Sequence, residues 1–174
     1  MRAIVAIDEN RGISSNGAML HHIPEDLAHF RKTTMGHTII MGHNTFLSLP
    51  NGPLDGRRNI VLSRKTPPPR YDGVEIYKSL DDIARDITKD ELRTSFIIGG
   101  QEVYEATLHL CTEAFVTKIM ATSTADRFFP ILDSRWTLVH SSEVKTFGNL
   151  KFQFQTYKNS KKEELHEVYL KHNV

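Results

Sequence analysis

Phe96-Ile97-Ile98-Gly99-Gly100-Gln101-Glu102-Val103-Tyr104 decides the fold. An apolar run stops at paired glycines, and a segment with helical spacing follows. Glycines let the backbone approach a ligand closely, and the next helix aims unpaired N–H groups and its positive dipole end at an anion. Paired glycines after a strand are equally consistent with a plain tight turn, so the pair needs company. Two more strand-to-helix or strand-to-loop turns supply it. Gly42-His43-Asn44-Thr45 follows the apolar Thr38-Ile39-Ile40-Met41, and Ser63-Arg64-Lys65 follows Asn59-Ile60-Val61-Leu62. Three such turns at the carboxyl ends of three parallel strands mark the place where open α/β sheets bind ligands. The spacing is not the dinucleotide G-x-G-x-x-G fingerprint, which disfavours an ordinary Rossmann domain.

Working outward, strands and helices alternate. Ala3 to Ile7 is apolar at every position, as in a strand buried on both faces. The turn formers Asn10 to Gly17 predict a flexible stretch. Pro24 to Thr33 reads as a helix with Pro and two acids in its first turn. A short helix is expected over Thr45 to Leu49, a rigid surface loop at Pro67-Pro68-Pro69, and a strand at Val74 to Tyr77. Ser79 caps a helix through Ile87, with Asp82 as its capping-box partner. Phe96 to Ile98 and Ala114 to Ile119 continue the sheet. After Pro130 the segments Trp136 to Ser141 and Leu150 to Tyr157 alternate, as antiparallel edge strands do. The expectation is an α/β fold: a single three-layer domain over residues 1–159, with a central, mostly parallel twisted sheet, an antiparallel C-terminal edge and helices on both faces. Residues 160–174 form a charged tail, with Leu165, Val168 and Tyr169 at helical spacing.

At 174 residues the chain is long enough to bury about 70% of its unfolded surface in one domain. A net charge of +1 gives no global attraction to nucleic acid or an anionic membrane. The one cysteine, Cys111, excludes an internal disulfide and a cysteine zinc cluster, and its apolar neighbours make it a core residue. No segment approaches about twenty apolar residues. The first strand is too short and too soon charged for a signal peptide, so the cytoplasm is the expected compartment.

Asp26 carries the chemistry. It sits in the first turn of the Pro24 helix, where a carboxylate is favoured electrostatically whatever its function. Asp26 and Phe30 are i and i+4 and share a face that Ile23 and Leu27 flank, while Glu25 and His29 fall on the neighbouring, wet face. A carboxylate on an apolar face needs a hydrogen-bonding partner, and a ring with an N–C–N edge offers two donors. Desolvation would raise its pKa, which suits a step needing a proton. Arg57, directly before a strand, is either a surface arginine or a bidentate clamp for a carboxylate.

Together these residues resemble the dihydrofolate reductase family. The resemblance runs from Ile4 to about Tyr157. It rests on Gly12-Ile13 with Ala18-Met19; Ile23-Pro24-Glu25-Asp26-Leu27 with Phe30; Ile40-Met41-Gly42 with Thr45-Phe46; Gly56-Arg57 with Asn59-Ile60-Val61-Leu62-Ser63-Arg64; and Ile98-Gly99-Gly100 with Val103-Tyr104. It implies hydride transfer from NADPH to the pterin ring of dihydrofolate, giving tetrahydrofolate for one-carbon metabolism, in a monomer open to antifolate-type small molecules. Asp26 would grip the pterin edge, with Thr117 hydrogen-bonded to it and His21 at the catalytic centre. Ile4, Val5, Leu27, Phe30, Arg31, Leu49, Leu54, Ile98 and Tyr104 would contact the substrate, and Arg57 its glutamate carboxylate. Ala6, Ile13, Met19, Gly42, His43, Asn44, Thr45, Leu62, Ser63, Arg64, Gly99, Gly100, Gln101, Glu102 and Val103 would hold the cofactor. The stretch from Asn10 to Leu20 would be a lid that excludes water.

The chain departs from the family at Ser14, where glycine is usual, and at Leu20-His21, where Pro-Trp is usual. It also departs at His43, where the family carries arginine or lysine against the cofactor phosphate. In the family that tryptophan packs by the pterin and holds a water, so the resemblance leaves the local water network and the affinity of pterin-like inhibitors open at His21. Two other readings remain at this level: a riboflavin-pathway type reductase of the same fold, which needs neither Arg57 nor Asp26 in this setting, and a non-catalytic nucleotide-binding module.

Overall fold

Side-chain alternation along the strands assigns the two layers of the core. In the computed structural model, which describes residues 1–65 and 71–161, the chain begins β1 (Arg2–Ile7), β2 (Gly12–Ser15), β3 (Ala18–Met19), α1 (Pro24–Thr34), β4 (Thr38–Gly42) and α2 (His43–Leu47). There follow β5 (Arg58–Leu62), β6 (Val74–Tyr77), α3 (Leu80–Asp86), α4 (Lys89–Thr94), β7 (Phe96–Ile97) and α5 (Gln101–Thr107). A 3-10 turn (Leu108–Leu110) leads to β8 (Glu113–Ile119), β9 (Arg127–Phe128), β10 (Trp136–Ser141), β11 (Lys145–Phe147) and β12 (Leu150–Asn159). Ala3, Val5 and Ile7 of β1 pack with Ile40, Ile60 and Ile97 against Ile83 of α3 and Val103 and Tyr104 of α5. The intervening residues Ile4, Ile39, Met41, Val61 and Phe96 face the other way, against Phe46 of α2 and Phe30 of α1. Helices therefore cover both faces.

The main sheet runs β10-β12-β8-β1-β7-β4-β5-β6, with β11 also on β12. From β8 to β6 every pairing is parallel, and β12 is antiparallel to β8, β10 and β11. This is the expected architecture, with the antiparallel edge at the C-terminal side. Pro24 opens α1, acids occupy its first turn, and Arg31 and Lys32 its last, matching the helix dipole. Ser79 caps α3 by accepting from the Asp82 N–H, and its hydroxyl donates to the Asp82 carboxylate.

Several expectations need correction. The stretch Asn10 to Gly17 is not a plain loop: β2 and β3 form a hairpin turned by Asn16 and Gly17, both at positive φ. That hairpin gains a third strand, β9, from far along the chain. The helix α4 was not anticipated, although Thr88 and Glu91 carry its cap. His29 does not share the wet face of Glu25; it is half-buried and stacks on Phe154 of β12 at 4.2 Å. Cys111 is fully buried and its thiol pushed up to about 12. The triple proline at 67–69 and tail residues 162–174 lie outside the described residues. Among those described, no helix is long and apolar enough to cross a membrane, and no cluster of His, Cys, Asp or Glu could hold a metal ion.

Candidate active site

The first turn of α1 lies over the carboxyl-terminal halves of β1 and β8, where Ala6 pairs with Thr117. Thr117 Oγ1 donates to Asp26 Oδ1 at 2.5 Å. Asp26 is only 8% exposed, and burial raises its carboxyl above the ordinary range, against the opposing Thr117 hydrogen bond and the nearby His29. Burial also lowers the His29 imidazole, which leaves it neutral at pH 7, so Thr117 is the opposing contact that counts. Asp26 Oδ2 has no protein partner among the described residues and is not sealed from solvent. A buried carboxylate with one oxygen committed and one free suits a ligand that brings its own donors.

Around it the expected walls assemble in part. Phe30, Leu49, Leu54 and Ile98 are half-buried around one core cluster, and Leu27 is 43% exposed, available to a ligand. Ile4 faces this side, whereas the Val5 side chain packs into the opposite layer. Tyr104 also lies in that opposite layer. Its hydroxyl donates to the Ile4 carbonyl at 2.7 Å, and burial raises its pKa strongly, so it supports β1 from beneath. Arg31 is exposed on α1. Arg57 is held by Thr34 Oγ1 at 3.2 Å and the Asp55 carbonyl at 3.1 Å, with its guanidinium 6.0 Å from the Phe30 ring centre. The loop that carries it is pinned by Asn59. The Asn59 amide accepts from Leu54 N–H and donates to the carbonyls of Leu54 and Arg57, a role the sequence reading missed.

The three strand-end turns meet. Gly42 N–H donates to the Gly99 carbonyl at 2.8 Å. A Cβ at Gly42 would lie 3.1 Å from Val103, and one at Gly100 would lie 3.1 Å from Thr45 Oγ1. Gly99 has φ +114° and lies under the Tyr104 ring, and the Gly99–Gly100 peptide is cis. Neighbouring side chains crowd the place of a Cβ at all three positions, so only glycine lets the two turns close into this cradle. Leu62 and the buried Ser63 end β5 beside it, and Asn44 is exposed at the start of α2. Arg64 and Glu102 reach across at 3.7 Å, both largely exposed.

His43 has a partner within the protein. It is buried, and its Nε2 meets the Tyr71 hydroxyl at 2.9 Å. Desolvation, with the charge of Lys65, lowers its pKa. The ring is a neutral strut between α2 and Tyr71, which also packs on Phe46 at 4.7 Å. Local sequence carried no sign of this, because Tyr71 joins it from the far side of another strand.

The stretch expected to form a lid is organised by Asp8, which the sequence reading left unassigned. Its carboxylate is fully buried. Oδ1 accepts the N–H groups of Asn10 and Gly12, and Oδ2 that of Ser123. Asp126 adds a second tie, accepting from Asn16 N–H and donating to the Ser14 carbonyl. His21 Nε2 lies 2.9 Å from Ser123 Oγ, at the joint between lid and body. Ile13 packs against the core, and Met19 is 43% exposed.

A sequence model of the family described as dihydrofolate reductase matches residues 1–159. The chain is 35% identical to the dihydrofolate reductase of Mycobacterium leprae over 154 residues, covering 85% of this chain and 91% of that protein. It is 38% identical to the Bacillus subtilis dihydrofolate reductase over 141 residues, 80% and 82% of the two chains. It is 32% identical to the dihydrofolate reductase type 9 of Escherichia coli over 165 residues, 91% and 93%.

Proposed function

Since the chain belongs to the dihydrofolate reductase family, we propose that it reduces 7,8-dihydrofolate to 5,6,7,8-tetrahydrofolate with NADPH. The observation that carries this is the buried Asp26 carboxylate, held by Thr117 on one oxygen and, among the described residues, without a partner on the other. NADPH supplies the hydride; the chain supplies placement and a proton-favouring environment. Asp26 Oδ2 accepts from the N–C–N edge of the pterin and, by keeping that edge in place, favours protonation of the ring nitrogen next to the hydride-accepting carbon. Phe30, Leu49, Leu54 and Leu27 enclose the ring and benzoyl group in apolar surface, and Arg57 pairs with the glutamate carboxylate.

The residues fit the cofactor. The glycine cradle at Gly42, Gly99 and Gly100 runs into the first turn of α5, an arrangement that would suit a pyrophosphate against backbone N–H groups, and Ser63 and Arg64 would take the adenosine 2′-phosphate. Ala6, Ile13 and Ile98 flank the nicotinamide. The lid hairpin shuts water from the reacting rings. This reading makes the chain a cytoplasmic monomer of one-carbon metabolism and a target for antifolates. Mixing the purified protein with NADPH and dihydrofolate tests it: reduced-nicotinamide absorbance should fall only when both are present. No dihydrofolate-dependent loss would sink the proposal.

A further inference from the structure

Gln101 follows the paired glycines directly, and its side chain reaches another element. Its Oε1 accepts the Phe128 N–H at 2.8 Å. Its Nε2 donates to Glu105 Oε1 at 2.8 Å, which fixes which end of the amide faces Phe128. Phe128 belongs to β9, whose partner is β2 of the lid, in register Gly12 with Phe128 and Ser14 with Arg127. A second contact from the same helix reaches the next residue. The Tyr104 ring meets Phe129 edge-on at 4.9 Å. Phe129 in turn exchanges two hydrogen bonds with Arg11, its N–H donating to the Arg11 carbonyl and its own carbonyl accepting from the Arg11 guanidinium. Residues 127–129 are thus gripped by α5 on one side and by the lid on the other.

We propose that Gln101 is a positioning residue that ties the glycine cradle to the lid, so that seating a dinucleotide and ordering the lid are coupled through residues 127–129. The inference rests on the cofactor reading above. Any adjustment of α5 as its first turn receives the cofactor's phosphates is passed by the Gln101 amide to the β9 backbone, and from there by the strand ladder to Gly12 and Ser14.

The test is amide hydrogen exchange with and without saturating NADPH, on the native protein, Gln101→Ala and Gln101→Glu, with thermal melts to confirm folding. In the native protein NADPH should slow exchange at Gly12, Ser14 and Asn16. Gln101→Ala should bind NADPH roughly two- to tenfold more weakly, the range for one neutral hydrogen bond, yet lose the lid protection even at saturation. Gln101→Glu keeps an acceptor for the Phe128 N–H and should keep the protection once saturated. If Gln101→Ala does not fold, Glu105→Ala frees the amide to turn and should weaken the protection instead. Full lid protection in the folded alanine variant overturns the coupling alone. A native protein that shows NADPH protection at residues 99–104 but none in the lid does the same. A native protein that neither binds NADPH nor turns over dihydrofolate overturns the functional reading and the coupling with it.

Discussion

Asp26→Asn should lower turnover and raise stability, and the two effects have one cause. The side chain is largely buried and its pKa is raised by desolvation. The folded state therefore holds a proton more tightly than the unfolded chain, whose aspartates titrate near about 3.9. Stability falls as pH rises from that value through the higher one in the fold, and stays reduced above it. As pH rises the native protein comes to carry the cost of a buried carboxylate, with Thr117 as its one hydrogen-bonding partner among the described residues. Asparagine has the same shape, no charge, and an oxygen that still accepts from Thr117. Relieving a site strained for function commonly gains about 0.5–2 kcal/mol, and a chain of this length melts about 2–4 °C higher per kcal/mol. Thermal melts of the two proteins at pH 7 and pH 4 should therefore differ, with the gap largest at pH 7. The same substitution removes the group that holds the pterin edge, and a positioned acid–base group is worth about 10²–10⁴ in rate. Steady-state turnover at pH 7 should drop by at least about a hundredfold while NADPH still binds. Near-native turnover, or a variant that melts lower at pH 7 than the native protein, would refute the reasoning.

Arg57→Leu should raise KM for dihydrofolate roughly ten- to a hundredfold, as expected for a charge-assisted pair of about 1.5–3 kcal/mol, and leave KM for NADPH unchanged; an equal loss with a pterin lacking the glutamate would make Arg57 structural. Gly99→Ala forces a side chain into a backbone with φ +114° beneath the Tyr104 ring. It should cost about 1–3 kcal/mol and lower the melting temperature, and an unshifted melt would mean the turn relaxes freely. His43 has its pKa lowered by burial, so stability should decline as pH falls through the ordinary imidazole range near about 6.5, and urea midpoints of His43→Gln should decline less. NADPH affinity of the native protein should show no His43 titration, and a pH profile altered by His43→Gln would place the ring at the phosphate.

What the sequence made legible is local. The three strand-end turns were readable because apolar runs and the glycines or polar residues that stop them lie side by side, and the strands' continuous apolarity gave the buried parallel sheet. The failures are contacts closed late in the chain. Asp8 looks like an ordinary surface acid after a strand, yet it is fully buried because Ser123, from a distant loop, completes its set of N–H donors. His29 was assigned to water by helical spacing alone, and β12 arrives to cover it. The hairpin of β2 and β3 is built from turn formers, and its strand character comes from pairing with β9, which no local signal announces. Asp26 and Thr117 stand between these cases: each is unremarkable in its own segment, and the resemblance anticipates the hydrogen bond that joins α1 to β8.

The two histidines that depart from the family meet different fates, and the difference locates what is particular to this chain. His21 meets Ser123, so on the proposed reading a polar ring would stand where the resemblance implies an indole and would tie the lid to the body. His43 is instead buried against Tyr71, which also packs on Phe46. On the proposed reading, Arg64 then carries the recognition of the 2′-phosphate, and its guanidinium is already shared with Glu102 at 3.7 Å. That pair is almost fully exposed, and such pairs are worth about 0–1 kcal/mol. A dianionic phosphate offers the same guanidinium a stronger, bidentate partner. On that reading the phosphate should displace Glu102 at little cost, and NADPH should bind more tightly than NADH without a second cation from α2, which titration of both cofactors would check.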